Sequence, residues 1–207
     1  MRILLIVLAA LAASGCAVGN RHSYTMGPDL ALQTSRSIVV AAQDMRPYVI
    51  SGEKVPNYVG TQRGGFGNPF NVGTESGRPL ADDFGNAISS ALARRGLRST
   101  MVSVAASGTP PDVRTLATRA GAERVALVQI VDWKSDTYMV VTLRYDVTLR
   151  VFDASGKQLA TSRVSGGDNL GGSAWDPPRH ARAAVPAAYR KKLEELFSAQ
   201  DVVRALQ

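Results

Sequence analysis

The sequence predicts a compact α/β sandwich built on one mixed β-sheet. Short apolar, β-branched runs alternate with amphipathic helical segments, and a long stretch with two-residue periodicity follows them before a final helical segment. The predicted order is strand, helix, strand, helix, strand, long antiparallel hairpin and C-terminal helix. Helical crossovers favour parallel neighbours and a hairpin enforces antiparallel ones, so both kinds of pairing are expected in one sheet.

The first predicted strand is the buried run SIVVAA at 37–42, which ends in the motif Asp44-Met45-Arg46-Pro47. Proline cannot donate a ladder hydrogen bond and therefore closes the strand. Residues 48–79 then form a long glycine-rich loop. A connection of that length is uncommon in a compact domain and indicates a functional loop or short concealed strands, with NYVGTQ as one such strand.

Two helices are predicted from their periodicity. Between Pro79 and Gly96, apolar side chains recur every three or four residues, acidic residues occupy the first turn and arginines the last, which suits the helix dipole. Residues 98–105 are predicted as the next strand. A second helix follows Pro111 and ends at Gly121.

The second half of the chain changes period. Residues 124–131 are almost continuously apolar, which is typical of a central strand covered on both faces. Residues 138–152 alternate apolar and polar, turn at 153–156 and return as a hairpin partner. A second glycine-rich loop is predicted over 166–178. The last helix, 183–199, is predicted to have Lys191 and Lys192 on its polar side.

Composition narrows the class of function. The 207 residues are 45% apolar and 20% charged, with a formal net charge of +7. The basic residues are interleaved with acidic ones rather than clustered on one face or helix. This distribution argues against a nucleic-acid partner.

The N-terminus has the layout of a secretory signal. Met1-Arg2 precedes an apolar run from Ile3 to Ala13, and small residues follow. Eleven apolar residues, at about 1.5 Å each, are too short to cross a hydrocarbon core of roughly 30 Å.

The single cysteine, Cys16, follows directly after AASG. This stretch resembles the bacterial lipobox, although Ala13 stands where leucine is commonest. The alternative is an ordinary cleaved signal with an incidental cysteine. The resemblance implies a diacylglycerol on Cys16, and Ala17 in place of aspartate implies the outer membrane, facing the periplasm. The predicted organisation is a lipoprotein signal peptide at 1–15, a lipidated tether at 16–36 and a periplasmic α/β domain at 37–207.

A family resemblance rests on short motifs. The lipobox, the DxRP motif at 44–47, the RGG motif at 63–65 and the amphipathic helix together resemble the YajG-like bacterial lipoproteins. The resemblance implies a compact periplasmic α/β domain on a lipid tether. It implies no chemistry.

The glycine-rich stretch TQRGGFGNPFNV, 61–72, is the first candidate site. It lacks the lysine and hydroxyl residue of a phosphate-binding loop, and it does not lead directly into a helix. Phe66 and Phe70 therefore either fold inward or join Arg63 in a partner-binding surface, since aromatic residues and arginine are enriched at interface anchors. Trp175, in the second glycine-rich loop, presents the same alternatives.

Asp44 and Arg46 are predicted to form a structural ion pair with each other, or with Asp82, Asp83 or Arg63. Arg46 is also expected to hold the glycine loop by bonding to its carbonyl groups. The alternative is a ligand site, because ligands commonly bind at strand ends in α/β sheets.

No catalytic residues, metal ligands or cofactor are predicted. The chain has two histidines and no nucleophile elbow, and no His, Cys or Asp cluster has metal-ligand spacing. We therefore expect a non-enzymatic, lipid-anchored protein of the outer membrane that binds an envelope protein or glycan and serves envelope assembly. An auxiliary lipoprotein of a lipid-transport or secretion machine is the alternative, and an envelope hydrolase is the least supported hypothesis.

Overall fold

The computed structural model describes residues 20–207, so the predicted signal peptide and Cys16 lie outside the described residues. Within this range, eight strands form one sheet: β1 Arg21–His22, β2 Ile38–Asp44, β3 Tyr58–Arg63, β4 Pro69–Thr74, β5 Ser99–Ser103, β6 Arg124–Thr137, β7 Val140–Asp153 and β8 Gln158–Gly172. The helices are α1 Pro47–Ile50, α2 Leu80–Arg94, α3 Val113–Ala120, α4 Pro177–Ser198 and α5 Gln200–Leu206. The predicted α/β class with a mixed sheet and a C-terminal helix is confirmed.

Strand β6 is the axis of the sheet. One of its edges pairs with antiparallel β7 along nearly the whole length, and β7 pairs in turn with β8. The other edge is shared: the first half of β6 pairs with parallel β2, which carries β5, and the second half pairs with parallel β3. Strand β4 pairs with β3, and the short β1 pairs with β4. The sheet is therefore branched along β6.

The long loop predicted at 48–79 contains α1, β3 and β4, and the concealed strand NYVGTQ corresponds to β3. Gly60 explains how β3 can approach β6 so closely. A Cβ atom on Gly60 would lie 2.1 Å from Ser135 Oγ and 2.5 Å from the Ser135 carbonyl oxygen. Only glycine permits this pairing without displacement of a strand.

The predicted loop at 166–178 is wrong for residues 166–172, which continue β8 as far as its pairing with Val140. Glycine lacks the side chain that would indicate a strand, but its backbone pairs normally. Gly166 also makes room for Tyr145, because a Cβ atom there would lie 3.3 Å from the tyrosine hydroxyl. Strand β6 likewise runs past the predicted end at 131, through polar residues, to Thr137.

The tether predicted for 16–36 is wrong from residue 20 onward. Strand β1 is part of the sheet, and Tyr24, Leu30 and Leu32 are buried in the main core. Gly27 lies so close to α2 that a Cβ atom would be 2.4 Å from the Ala87 carbonyl oxygen. These apolar residues follow neither a helical nor a strand period, so the sequence pattern did not mark them as core.

Helices α2, α4 and α5 cover one face of the sheet and enclose the main core. An aromatic cluster lies at its centre: Tyr24, Phe84, Trp133 and Tyr189. Trp133 Nε1 donates a hydrogen bond of 3.0 Å to the hydroxyl of Tyr24. On the other face α3 packs against β2 and the first half of β6, which buries β2 on both sides.

Candidate functional site

Three loops meet at one end of the sheet. Strands β3, β6 and β8 end there, and β4 and β7 begin there, as the pairs Gln62↔Thr137 and Val140↔Gly172 show. The segments at this end are 64–68, 138–140 and 173–176, of which Val140 is the first residue of β7. We call these three segments the aromatic tip.

The aromatic tip exposes large apolar side chains. Phe66 is 97% exposed and Trp175 is 98% exposed, while Tyr138, Met139 and Val140 are 45%, 55% and 45% exposed. Within residues 20–207, these five make up half of the large hydrophobic side chains that are exposed. At the usual strand spacing of about 4.8 Å, the three steps from β3 to β8 place the outer loops roughly 14 Å apart. The exposed side chains therefore belong to one surface.

The β3–β4 loop is held by its own hydrogen bonds. Gly64 N–H donates to the Asn68 carbonyl at 2.9 Å, and Gly67 N–H donates to the Gly64 carbonyl at 2.8 Å. Gly67 has a φ of 82°, which favours glycine. Phe70 lies on β4, half-buried, with its ring against Gly64. Phe70 supports the loop, and Phe66 points outward from it.

The loop that carries Trp175 is similarly ordered. The hydroxyl of Ser173 accepts hydrogen bonds from Trp175 N–H at 3.3 Å and from Asp176 N–H at 3.0 Å. The Ser173 N–H donates to the Met139 carbonyl at 3.1 Å, which joins this loop to the β6–β7 turn. The backbone of Trp175 is thus fixed while its ring is in solvent.

Arg63 lies at the base of the aromatic tip. Its guanidinium donates two hydrogen bonds to Asp136 on β6, at 2.7 and 3.0 Å. This ion pair links β3 to β6 and neutralises the arginine. Of the four residues predicted as a partner-binding set, the structure brings Arg63, Phe66 and Trp175 to the same end with outward or half-exposed side chains, and Phe70 lies inside the hairpin.

Asp44 and Arg46 form a fully buried ion pair. Arg46 donates from Nε to Asp44 Oδ1 at 2.8 Å and from Nη2 to Oδ2 at 2.6 Å. It also donates to the carbonyls of Tyr58 at 2.5 Å and Pro56 at 3.0 Å. Burial opposes the charge, but the hydrogen bonds and charge of Asp44 outweigh it and raise the pKa of Arg46. The pair ties the end of β2 to the start of β3 and is not accessible to a ligand.

Lys192 is a buried charged residue that the sequence pattern misplaced on the polar side of the last helix. Its ammonium donates to the Tyr145 hydroxyl at 2.8 Å and lies 3.0 Å from Asp168 Oδ2. Burial opposes the charge, but these hydrogen bonds raise the pKa of Lys192. Asp168 lies in the segment predicted as a loop, so nothing in the pattern indicated a buried partner for the lysine.

His22 lies inside the domain, although it was predicted to lie in the tether. Its Nε2 is 3.3 Å from Ser135 Oγ. Burial and the nearby positive charge of Arg182 lower the pKa of His22 to about 4. The imidazole is therefore neutral at pH 7 and serves packing at the β1 edge.

An open cavity of about 470 Å³ lies where the C-terminal end of α2 meets the segment that follows β1. Arg95 and Arg190 line it, but Arg95 pairs with Asp29 and Arg190 pairs with Glu194. Across residues 20–207 no group of three or more His, Cys, Asp or Glu side chains is arranged to hold a metal ion.

No helix among the described residues combines the length and the apolar character needed to cross a membrane.

Comparison with known proteins shows a shared fold. No protein-family model matches the chain, and neither does any curated protein. The solved structure of protein XCC0632 from Xanthomonas campestris, described with the family model DUF330, has a TM-score of 0.53 at 13% identity and covers 91% of this chain and 94% of its own. The chain therefore has the fold of XCC0632.

Two further solved structures align with lower scores. Lipoprotein GNA1162 from Neisseria meningitidis has a TM-score of 0.33 at 13% identity, covering 75% of this chain and 99% of its own. The PelC dodecamer from Paraburkholderia phytofirmans has a TM-score of 0.38 at 16% identity, covering 85% and 96%. The resemblance to YajG-like lipoproteins remains a prediction.

Proposed function

We propose that this chain is a non-enzymatic lipoprotein of the bacterial cell envelope, anchored through Cys16 and acting as a binding and assembly module at the periplasmic face of the outer membrane. The observation that carries the proposal is the position of its one cysteine. Cys16 directly follows a signal-like segment and stands five positions before Arg21, where the chain joins the sheet.

The start of the domain supports this arrangement. The Asn20 carbonyl accepts a hydrogen bond from Gly73 N–H at 3.4 Å, and the side-chain oxygen of Asn20 accepts one from Arg182 at 3.1 Å. The chain is therefore attached to the body at residue 20. A lipid on Cys16 would hold the domain close to the membrane rather than at the end of a long tether.

The interior charges support a binding role rather than catalysis. Arg46 is neutralised by Asp44 inside the domain, and the buried Lys192 is neutralised by Asp168, whose side chain is partly exposed. Catalytic groups are instead expected in a cleft, with pKa values matched to proton transfer. We assign these pairs to stability.

The aromatic tip is the proposed contact surface. Exposed aromatic residues on ordered loops lose little conformational entropy on binding, and they bury a large apolar area. Phe66 and Trp175 would make the contact, Arg63 would flank it, and Phe70 would hold the β3–β4 loop in shape.

Metabolic labelling with radioactive palmitate tests the anchor. We expect the wild-type chain to incorporate label and to stay in the membrane fraction after a high-salt wash. Cys16→Ser should abolish the label, whereas Ser14→Ala, which keeps the cysteine and a small residue before it, should retain it. Unlabelled wild-type chain in the soluble fraction would refute the proposal.

Density fractionation of the membranes tests whether the chain is anchored in the outer or the inner membrane. Wild-type chain is expected in the outer-membrane fraction. Ala17→Asp, which introduces the residue associated with retention at the inner membrane, is expected to shift the chain to the inner-membrane fraction. Wild-type chain found at the inner membrane would contradict the outer-membrane assignment while leaving the anchor intact.

A further inference from the structure

We propose that the aromatic tip is a lipid-binding surface, which inserts its exposed rings into the interface of the membrane that carries the anchor. The proposal rests on the anchored state proposed above and names the partner of its contact surface. It follows from where the chain enters the fold, how far the anchor can reach and what the aromatic tip exposes.

The first step is the direction from which the chain enters the sheet. Strand β1 pairs with β4 in parallel, with Arg21 opposite Gly73 and His22 opposite Thr74. Strand β4 starts at the aromatic tip and runs away from it. The chain before Arg21 therefore meets the sheet on the side nearer the aromatic tip.

The second step is the greatest distance that can lie between the lipidated cysteine and the domain. Asn20 is four positions after Cys16, so their Cα atoms are at most roughly 14 Å apart, whatever course the chain takes between them. Pairing through β4 and β3 places Asn20 near the level of Ser135 on β6. The start of β6 at Arg124 lies eleven residues away, roughly 36 Å along the strand. The anchor can therefore bring to the membrane either the aromatic tip or the side of the sheet next to the second half of β6. It cannot bring the opposite end of the sheet there.

The third step is the chemistry of the surface that lies within reach. Tryptophan and tyrosine are enriched at membrane–water interfaces, where the ring is partly apolar and its polar atom remains hydrated. Phe66, Met139 and Val140 add apolar area, and burial in the headgroup–acyl boundary favours such side chains. The aromatic tip has this composition.

The charges around the aromatic tip do not oppose insertion. Arg63 and Asp136 neutralise each other at 2.7 Å. Beside Trp175, Asp176 caps α4 by accepting a hydrogen bond from Arg179 N–H at 2.9 Å. No other residue of 64–68, 138–140 and 173–176 carries a charge. The surface therefore has no strong net charge and fits mixed phosphatidylethanolamine and phosphatidylglycerol bilayers.

The bilayer is favoured over a protein partner because the anchor already keeps it within reach of the exposed rings. Two acyl signals give stable attachment on their own. The role of the aromatic tip is then to fix the orientation of the domain on the membrane. With the tip in the bilayer interface, the opposite end of the sheet points into the periplasm.

The test uses the two tryptophans of the full, lipidated chain. Trp175 is almost fully exposed, and Trp133 is fully buried in the core. The chain is reconstituted into phosphatidylethanolamine–phosphatidylglycerol vesicles with brominated or ordinary acyl chains, and tryptophan emission is recorded. Trp175→Phe isolates the emission of Trp133.

We expect brominated lipid to quench most of the Trp175 emission, measured as the difference between wild type and Trp175→Phe, and to leave Trp133 nearly unchanged. Phe66→Gln combined with Met139→Gln should weaken this quenching, because apolar area at the same surface is lost. Both side chains are exposed, so the double variant is expected to fold as wild type does.

Two failures are distinguishable. If the chain co-floats with vesicles and Trp175 emission is the same in brominated and ordinary lipid, the aromatic tip does not meet the bilayer, and the inference is overturned while the proposed anchor stands. If the purified mature chain carries no acyl group and does not co-float, the proposed function fails, and the inference fails with it.

Discussion

The two ends of the sheet are built from different side chains. At the end opposite the aromatic tip, the segments 95–98, 121–123 and 153–157 expose mainly polar side chains, and we refer to them as the polar end. Glu123 pairs with Arg36 at 3.6 Å and Arg98 at 3.7 Å. Asp153 accepts hydrogen bonds from the backbone of Ser155 at 2.9 Å and Lys157 at 3.0 Å. The aromatic tip exposes rings instead.

The contrast separates folding from function. Turns of the polar end use Asp, Ser and Gly in the roles that close a hairpin, and their side chains satisfy the local backbone. At the aromatic tip, glycines and a serine hydroxyl already order the loops, so the exposed rings of Phe66 and Trp175 add nothing to folding. Side chains that a fold does not need, placed together on one surface, indicate binding.

The largest expected effect concerns the buried pair of Asp44 and Arg46, between the end of β2 and the start of β3. Arg46→Ala would leave Asp44 as an unpaired buried charge and would remove the guanidinium donors to the Tyr58 and Pro56 carbonyls. We expect a loss of about 3–5 kcal/mol in the free energy of unfolding, measured by urea denaturation. A variant as stable as wild type would remove the structural role assigned to this pair.

The pH dependence of stability is the next effect. His22 has a pKa of about 4 in the folded chain, against 6.5 as its ordinary value. The unfolded chain therefore binds a proton between these two values that the folded chain does not bind. Stability is expected to fall as the pH is lowered through this window, by on the order of 3 kcal/mol from pH 7 to pH 4.

The His22 contribution is isolated by comparing variants. His22→Gln should flatten the slope of the free energy of unfolding between pH 6.5 and 4, because the titrating group is lost. Equal slopes for His22→Gln and wild type would contradict the burial of this imidazole.

A smaller loss of stability is expected for Arg63 and Asp136, which form an exposed arginine–aspartate pair. Arg63→Ala removes the ion pair with Asp136, whose partners are both substantially exposed. Solvent and salt screen an exposed ion pair, so the urea midpoint should change only slightly. A loss as large as that of Arg46→Ala would show that Arg63 holds the β3–β4 hairpin in place.

The smallest change in stability is expected at the exposed rings. Phe66→Gln and Trp175→Gln should alter the free energy of unfolding by less than about 0.5 kcal/mol, because neither ring is buried. Phe84→Ala, in the aromatic cluster of the core, is the buried control. It should lower the free energy of unfolding by about 3–5 kcal/mol. Strong destabilisation by Phe66→Gln would mean that the ring packs inward in solution.

Much of the fold was predictable because periodicity follows burial. The amphipathic pattern of α2, the apolar run of β2 and the alternation along β7 each identify an element that buries one face or two. The prediction fails where burial has no period, as in the segment around Tyr24, and where glycine hides a strand, as at Gly166. In both cases the structure depends on packing between segments that are distant in the sequence.

The candidate site was predictable in some of its residues but not in its geometry. Tyr138 and Met139 were expected inside the strand at 138–152, whereas the structure places them, exposed, in the β6–β7 turn. The sequence identified Arg63, Phe66, Phe70 and Trp175, and left open whether the aromatic residues turn inward. The structure separates Phe70, half-buried on β4, from Phe66 and Trp175, which point outward. It also brings Trp175 to the same end as Phe66, although more than a hundred residues separate them along the chain. Such a juxtaposition depends on strand pairing and has no signature in local sequence.

The most direct test of a membrane-facing aromatic tip is photocrosslinking in cells. A photoreactive amino acid replaces Phe66 in the lipidated chain, and a matched variant carries it at Ala154, an exposed position of the polar end. We predict that position 66 crosslinks to phospholipid, detected by mass spectrometry as a lipid adduct on the β3–β4 loop, and that position 154 does not. Capture of one discrete protein from position 66 without a lipid adduct, or an equal lipid adduct at position 154, would contradict this account.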